Sequence, residues 1–221
     1  MPDAADNRLY LVALDLADER ALVVGGDEMA AEKVAGLRAA GAVVRLVAPV
    51  LCKEVRDLVD DGVEWISRTY RAEDLDGCLL VVATTGDDPV SESVATDARA
   101  RNMLVNVADV PRLCNFILPA ITREGPVAVA VSTAGASPAL AQRMRREIAE
   151  SFGPVYAQLA VELRALRAWA KESLPTYERR KAFFDSVVNG SPDPIELLRS
   201  GERDGLRSAI EAAKEAAVKQ S

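Results

Sequence analysis

The chain has 221 residues, 49% of them hydrophobic and 28% charged, with a net charge of -7 and a pI near 4.9. That balance suits a soluble globular protein of one or two domains with room for a sizeable core. It excludes the basic footprint that nucleic-acid binding needs. There are no histidines, so the usual general base and the commonest metal ligand are both missing. Acid-base chemistry then falls to carboxylates, Lys, Tyr or Cys. Cys52, Cys78 and Cys114 are far apart and form no CxxC pair. Neither a zinc site nor a disulfide framework follows, and reduced thiols in a cytosol are the expectation. The opening MPDAADNRLY lacks the basic start and apolar core of a signal peptide. No apolar run reaches the length of a membrane span, so a cytoplasmic protein without a membrane anchor is expected.

In chain order, Leu9 to Leu16 reads as a short apolar strand or a lead-in. Ala21 to Val24 is an apolar strand followed by Gly25-Gly26. From Met29 a helical pattern takes over, with Ala30, Val34 and Leu37 on one face, and Gly41 ends it. Val43 to Val47 is the next strand, closed by Pro49. Strand, glycine turn, helix and strand make a βαβ unit and imply a parallel sheet. Cys52 to Val59 reads as a short helix, Val63 to Ile66 as a weak strand and Leu79 to Ala83 as a fully apolar strand. The loop Thr84-Thr85-Gly86-Asp87-Asp88-Pro89 follows, then a helix from Val90 to Arg101. With the strand that starts at Leu104, five strands alternate with helices, the pattern of a doubly wound domain.

Val23 to Val34, VVGGDEMAAEKV, sits where a dinucleotide fingerprint belongs, after a strand and opening a helix. Gly25 fills the first position of G-x-G-x-x-G/A and Ala30 the last. The middle glycine, which lets a pyrophosphate approach the backbone, is replaced by Asp27. A carboxylate there can cap the helix but brings negative charge to the place where phosphates dock. The acidic residue expected at the end of the second strand is also missing, since that strand ends Val47-Ala48-Pro49. By motif alone, dinucleotide binding stays open.

Leu104 to Ile121, LVNVADVPRLCNFILPAI, is the second informative stretch. Leu104, Val105 and Val107 have the character of a buried strand, and Asp109 stands where that apolar run stops. Ligands of open α/β sheets collect at the carboxyl ends of strands, so Asp109 is placed for chemistry. Asp is also a common turn residue ahead of Pro111, and both readings stand at this point. Beyond Pro111, Phe116 to Ile121 and Val127 to Val131 read as two strands joined by TREGP, close enough for a hairpin. Ser132 to Ser137 leads to a helix with Ser137 as N-cap and Pro138 at its first position. That helix carries Leu140, Met144 and Ile148 on one face. From Gly153 the chain reads as helices. Val155 to Glu172 bears the stripe Leu159, Leu163, Leu166 and Trp169. Thr176 to Val188 includes Phe183 and Phe184. Ser191 to Pro194 is a loop, and Ile195 to Lys219 holds one or two further helices.

Together these stretches resemble a known family. VVGGDEMAAEKV, AGAVVRLVAP, DLDGCLLVVATTGDDP, LVNVADVPRLCNFILPAI and GPVAVAVSTAGASPALAQRMRREI are similar, in unbroken order from Leu9 to Phe152, to the precorrin-2 dehydrogenase/sirohydrochlorin ferrochelatase family. This family forms the N-terminal module of siroheme synthases. The C-terminal helices match it in placement and helical character. The resemblance implies an α/β fold in three parts: an NAD-binding Rossmann-type parallel sheet over residues 1–112, a small α+β dimerisation domain over 113–152, and a C-terminal helical domain over 153–221. It implies NAD as cofactor, a tetrapyrrole substrate, a homodimer, and in some members ferrous iron as a second substrate.

By the same resemblance Asp109 falls on the family's catalytic carboxylate. The cofactor contacts fall on Gly25, Gly26, Asp27, Glu28, Met29, Pro49 and Val50, with Thr84 and Thr85 in the loop after the fourth strand. The substrate carries many carboxylates and calls for cationic and hydrogen-bonding partners. The candidates are Arg112, Asn115, Ser132, Thr133, Ser137, Arg143 and Arg146, with Arg123 and Arg145 nearby in sequence. No protein ligand set for a resident metal is expected; Cys114, near Asp109 in sequence, could meet a metal, but as a lone thiol it is read first as core. Family members usually carry three successive glycines where this chain has Gly25-Gly26-Asp27. Two further readings therefore stay open: a chelatase or tetrapyrrole-binding protein with impaired NAD binding, and a non-catalytic Rossmann regulatory module.

Overall fold

The structure is a computed structural model that describes residues 9–86 and 88–219. The N-terminal MPDAADNR and Asp87 of the loop after the fourth strand lie outside the described residues. By contacts the described chain divides at Leu118/Pro119 into two compact units. The parts expected as a separate central domain and a separate helical domain share the second of these, because one helix runs through the expected boundary at residues 152/153.

The first unit is a five-stranded parallel sheet. Its strands are β1 (Arg20–Val24), β2 (Val43–Val47), β3 (Glu64–Ile66), β4 (Leu80–Ala83) and β5 (Leu104–Val107), in the order β3-β2-β1-β4-β5. Helices α1 (Glu28–Ala39), α2 (Lys53–Asp60) and α3 (Pro89–Ala100) make the crossovers, and the β3-to-β4 crossover is a single 3-10 turn at Ala72–Leu75. The central strands are continuous apolar runs because both faces are covered. Along β1, Ala21 and Val23 pack with Val34 of α1 and Val55 of α2, while Leu22 and Val24 pack with Val94 and Ala98 of α3. This alternation, with strand order reversing between β1 and β4, is the doubly wound plan in which ligands bind at the carboxyl ends beside the reversal. Leu9 to Leu16 is a lead-in and not a strand: Tyr10, Leu11 and Val12 are exposed, and only Leu16 reaches the core.

The second unit opens with the antiparallel pair β6 (Ala120–Glu124) and β7 (Val127–Val131). The expected strand from Phe116 starts instead at Ala120. Pro119 lacks an N–H for a ladder, and Phe116 packs against the parallel-sheet core. The expected TREGP turn shrinks to two residues, since Glu124 already pairs with Val127. Gly125 takes φ 52° as the first of the two, the left-handed position that tight hairpin turns fill with glycine. Helix α4 (Pro138–Ser173) packs on the hairpin and is interrupted at Gly153, whose φ of 52° and ψ of -172° are followed by Pro154. Helices α5 (Tyr177–Val188), α6 (Pro194–Arg199) and α7 (Arg203–Lys219) complete the unit around Leu159, Phe183, Leu174 and Leu206. Leu140 and Met144, expected on the apolar face of α4, are 48% and 39% exposed.

Candidate functional site

At the carboxyl ends of β1 and β2 lies a cleft of about 570 Å³, lined by Gly25, Gly26, Asp27, Pro49, Val50 and Thr85, and also by Thr69, Tyr70, Asp88 and Val90, which the sequence did not single out as site residues. The two glycines are required by close approach. A Cβ on Gly25, which has φ 134°, would lie 2.1 Å from Thr84 Oγ1, and one on Gly26 would lie 2.0 Å from the Val50 carbonyl oxygen. The chain can therefore turn from β1 into α1 flush against the β2 and β4 ends only with bare backbone.

The turn exposes hydrogen-bond donors. The N–H groups of Gly26, Asp27, Glu28 and Met29 find no acceptor among the described residues. Four successive free amides at the start of a twelve-residue helix form a concave, partly positive surface suited to a phosphate group. Asp27 is the N-cap of that helix: its Oδ1 accepts from the Ala30 N–H at 2.8 Å and from the Thr84 hydroxyl at 2.8 Å. The carboxylate is thus tied sideways to β4. The residues present fit a dinucleotide at the glycines and amides, with Asp27 as the one discordant group.

Thr84 is buried and its hydroxyl belongs to Asp27. Thr85 is bound within its own loop: its hydroxyl donates to Asp88 Oδ1 at 3.0 Å and lies 2.8 Å from Ser91 Oγ, while Asp88 caps α3. Tyr70 forms one wall, with its hydroxyl donating to Asp97 on α3 at 3.0 Å. Burial, then that hydrogen bond and the Asp97 charge, push the Tyr70 phenol well above its usual range. The bond to Asp97 fixes Tyr70 as part of the cleft wall. Nothing in the local sequence marks Tyr70, which follows a three-residue strand; Asp88 ahead of Pro89 did carry a helix-start signal.

Asp109 stands at the carboxyl end of β5, outside the cleft lining. Its neighbours are locked by main-chain bonds, Ala108 N–H to the Ala83 carbonyl at 2.9 Å and Val110 N–H to the Val107 carbonyl at 3.2 Å. Asp109 between them has φ 61° and is exposed. Its carboxylate makes no hydrogen bond among the described residues. The turn before Pro111 is closed by backbone alone, so the capping reading has no bond to rest on. A non-glycine residue held in the left-handed region is a recurrent feature of functional sites, although Asp tolerates it better than most.

The expected substrate ligands divide. Arg112 pairs with Glu92 of α3 at 3.0 Å. Both ends of the Asn115 amide are engaged by main chain, Oδ1 by the Val105 N–H and Nδ2 by the Met103 carbonyl. In the second unit Thr133 both accepts from the Ser137 N–H and donates to its carbonyl, Ser132 Oγ accepts from the Ala134 N–H, and Ser137 Oγ caps α4 through the Leu140 N–H. Arg143 is exposed and paired with Glu147 at 2.7 Å, whose hydrogen bond and charge raise the guanidinium further. Arg146 and Arg123 are exposed, with no hydrogen bond or ion pair among the described residues. The Cys114 thiol is half-buried and donates to the Val107 carbonyl at 3.3 Å. No group of three or more Cys, Asp or Glu able to hold a metal occurs among the described residues, and no helix there is long and apolar enough to cross a membrane.

Comparison with known proteins bears on both units. Residues 12–120 match the family described as putative NAD(P)-binding, and residues 124–151 match the central region of sirohaem biosynthesis proteins. The siroheme synthase of Pseudomonas fluorescens (strain SBW25) is 40% identical over 189 residues, covering 85% of this chain and 41% of the relative. That of Thioalkalivibrio sulfidiphilus (strain HL-EbGR7) is 39% identical over 209 residues, covering 93% and 42%. The chain thus spans about two fifths of the length of these relatives. Among solved structures, SirC, a precorrin-2 dehydrogenase, superposes with a TM-score of 0.73 at 24% identity, over 94% of this chain and all of that one, and shares the fold.

Proposed function

From the premise that the chain belongs to the siroheme synthase and precorrin-2 dehydrogenase family, we propose that it oxidises precorrin-2 to sirohydrochlorin with NAD. The observation that supports this reading most is the run of four free amides from Gly26 to Met29 at the strand-order reversal. A sensor of tetrapyrroles needs no such cradle, and a nucleotide sensor, which would have one, needs neither Asp109 nor the arginines. A bound nicotinamide would supply the hydride acceptor. Gly25 and Gly26 admit the diphosphate, and Pro49, Val50 and Tyr70 wall the cleft beside it. NAD is the proposed cofactor, since no arginine lines the cleft among the described residues to take a 2′-phosphate.

Aromatising the macrocycle removes a hydride and protons. Asp109, exposed and without a hydrogen-bond partner among the described residues, is the carboxylate that takes a ring proton. Arg112, Arg143 and Arg146, with the hydroxyls of Ser132 and Thr133, are the groups proposed to meet the substrate's carboxylates. The protein acts as a homodimer in which the β6–β7 hairpin finds its partner in a second copy. Where ferrous iron is a second substrate, the same carboxylate accepts pyrrole protons as the metal enters. Anaerobic incubation of the purified chain with precorrin-2 and NAD tests the reading: sirohydrochlorin and NADH should appear in equal amounts. Precorrin-2 left unchanged at saturating NAD would refute it.

A further inference from the structure

Asp27 stands where a dinucleotide-binding turn carries glycine, yet the four amides beside it are open. The reason lies 57 residues away in sequence, at the end of β4. Thr84 is 7% exposed and packs against Gly25, and its hydroxyl donates to Asp27 Oδ1. The same oxygen accepts from Ala30, the third amide of α1, and not from the first two. Two donors on one oxygen hold the carboxylate off the Gly26–Met29 amides and disperse part of its charge. Without the hydroxyl, the carboxylate keeps one bond and gains rotational freedom next to four unsatisfied donors. It would compete with a phosphate for them.

We propose that Thr84 is a positioning residue for the dinucleotide: its hydroxyl parks the Asp27 carboxylate at the side of the crevice and so keeps the amide cradle open to a diphosphate. The inference rests on the NAD reading above. Thr84 thereby acts through Asp27 and touches no cofactor itself.

The test is a double-mutant cycle on NAD+ affinity, measured by titration calorimetry without substrate. Thr84→Val should weaken NAD+ by about tenfold, the lower end of what a hydrogen bond to a charged group contributes. Part of that loss should fade at high salt, because the released carboxylate repels the diphosphate electrostatically. Asp27→Gly should tighten NAD+, and in that background Thr84→Val should change nothing. Thr84→Ala serves as the second variant, since the tight contact with Gly25 leaves little room for a misplaced methyl group. Equal weakening in both backgrounds would make Thr84 a direct ligand and overturn the proposal. Unchanged affinity with only a lower melting temperature would reduce it to packing and overturn it as well. Failure of every variant, Asp27→Gly included, to bind NAD+ at millimolar concentration would instead sink the NAD reading itself.

Discussion

Asn115 closes the free edge of β5 at Val105 as a neighbouring strand would. Its main-chain N–H donates to the Val105 carbonyl at 3.0 Å, and its side-chain Oδ1 accepts from the Val105 N–H at 2.8 Å. The amide's Nδ2 reaches on to the Met103 carbonyl at 2.8 Å. One side chain thus satisfies two main-chain groups at the border of a strand that is buried from Val105 to Val107.

Asn115→Ala would strand those groups. Each buried group left without a partner costs about 1–3 kcal/mol, so with two stranded groups the variant should lose roughly 2–6 kcal/mol in urea unfolding. Unchanged stability with a raised KM for the tetrapyrrole would instead make Asn115 a substrate ligand.

Asp109→Asn separates chemistry from structure. Asn tolerates the left-handed conformation as Asp does, and the flanking main-chain bonds are untouched, so stability should stay within about 0.5 kcal/mol. NAD-dependent turnover should fall by about a hundredfold to ten-thousandfold, the usual loss for a positioned acid or base. A wild-type rate would return Asp109 to a turn residue.

The β6–β7 hairpin presents Ala128 and Ala130 to solvent, and α4 presents Leu140 and Met144. Two strands and one helix face leave this apolar surface short of cover, and a lone two-stranded ribbon is marginal in water. Sedimentation equilibrium at micromolar concentration should give a dimer, and Ala130→Glu should give a folded monomer by placing a charge on the outer face. A monomeric wild-type chain would contradict the assignment.

Acid sensitivity should centre on Asp74. Burial raises this carboxyl, but the two-pronged hydrogen bond from Arg68, the Arg71 N–H and the Arg68 and Arg45 charges outweigh it and hold it below the usual carboxylate range. A carboxyl lowered in the folded state stabilises fully above its unfolded value and loses that contribution as pH falls through the folded value. Asp74→Asn should therefore lose stability at pH 7, by less than the roughly 3–5 kcal/mol of a fully buried pair broken on one side, because Arg68 is part-exposed and solvent screens its charge. The gap to wild type should begin to narrow below about pH 4 and close as the pH falls through the lowered folded value. A gap independent of pH would mean that packing, and not charge, holds Asp74 in place.

The order of strands and helices was readable from the sequence because apolar periodicity and glycine turns act over a few residues. Val23-Val24-Gly25-Gly26 marks the β1-to-α1 turn, and Ser137-Pro138 marks the start of α4, as found. Asp27 as a cap was equally local, since its Ala30 partner is three residues on. The strand expected from Phe116 failed for the converse reason. A short apolar run looks alike whether it pairs in a ladder or packs as a connection, and Phe116 packs.

What the side chains do in the site was decided only by the tertiary structure. Thr84 meets Asp27 because β4 lies beside β1 in the sheet. Tyr70 enters the cleft wall because the β3-to-β4 crossover is one short turn against α3. Asn115 closes on β5 because the chain doubles back after Pro111. Hydrogen bonds of this kind depend on where separate segments are brought together by burial of the two faces of the sheet. No spacing within either segment encodes them, so a sequence can name Asp27 as discordant while only the fold supplies the hydroxyl that holds it aside.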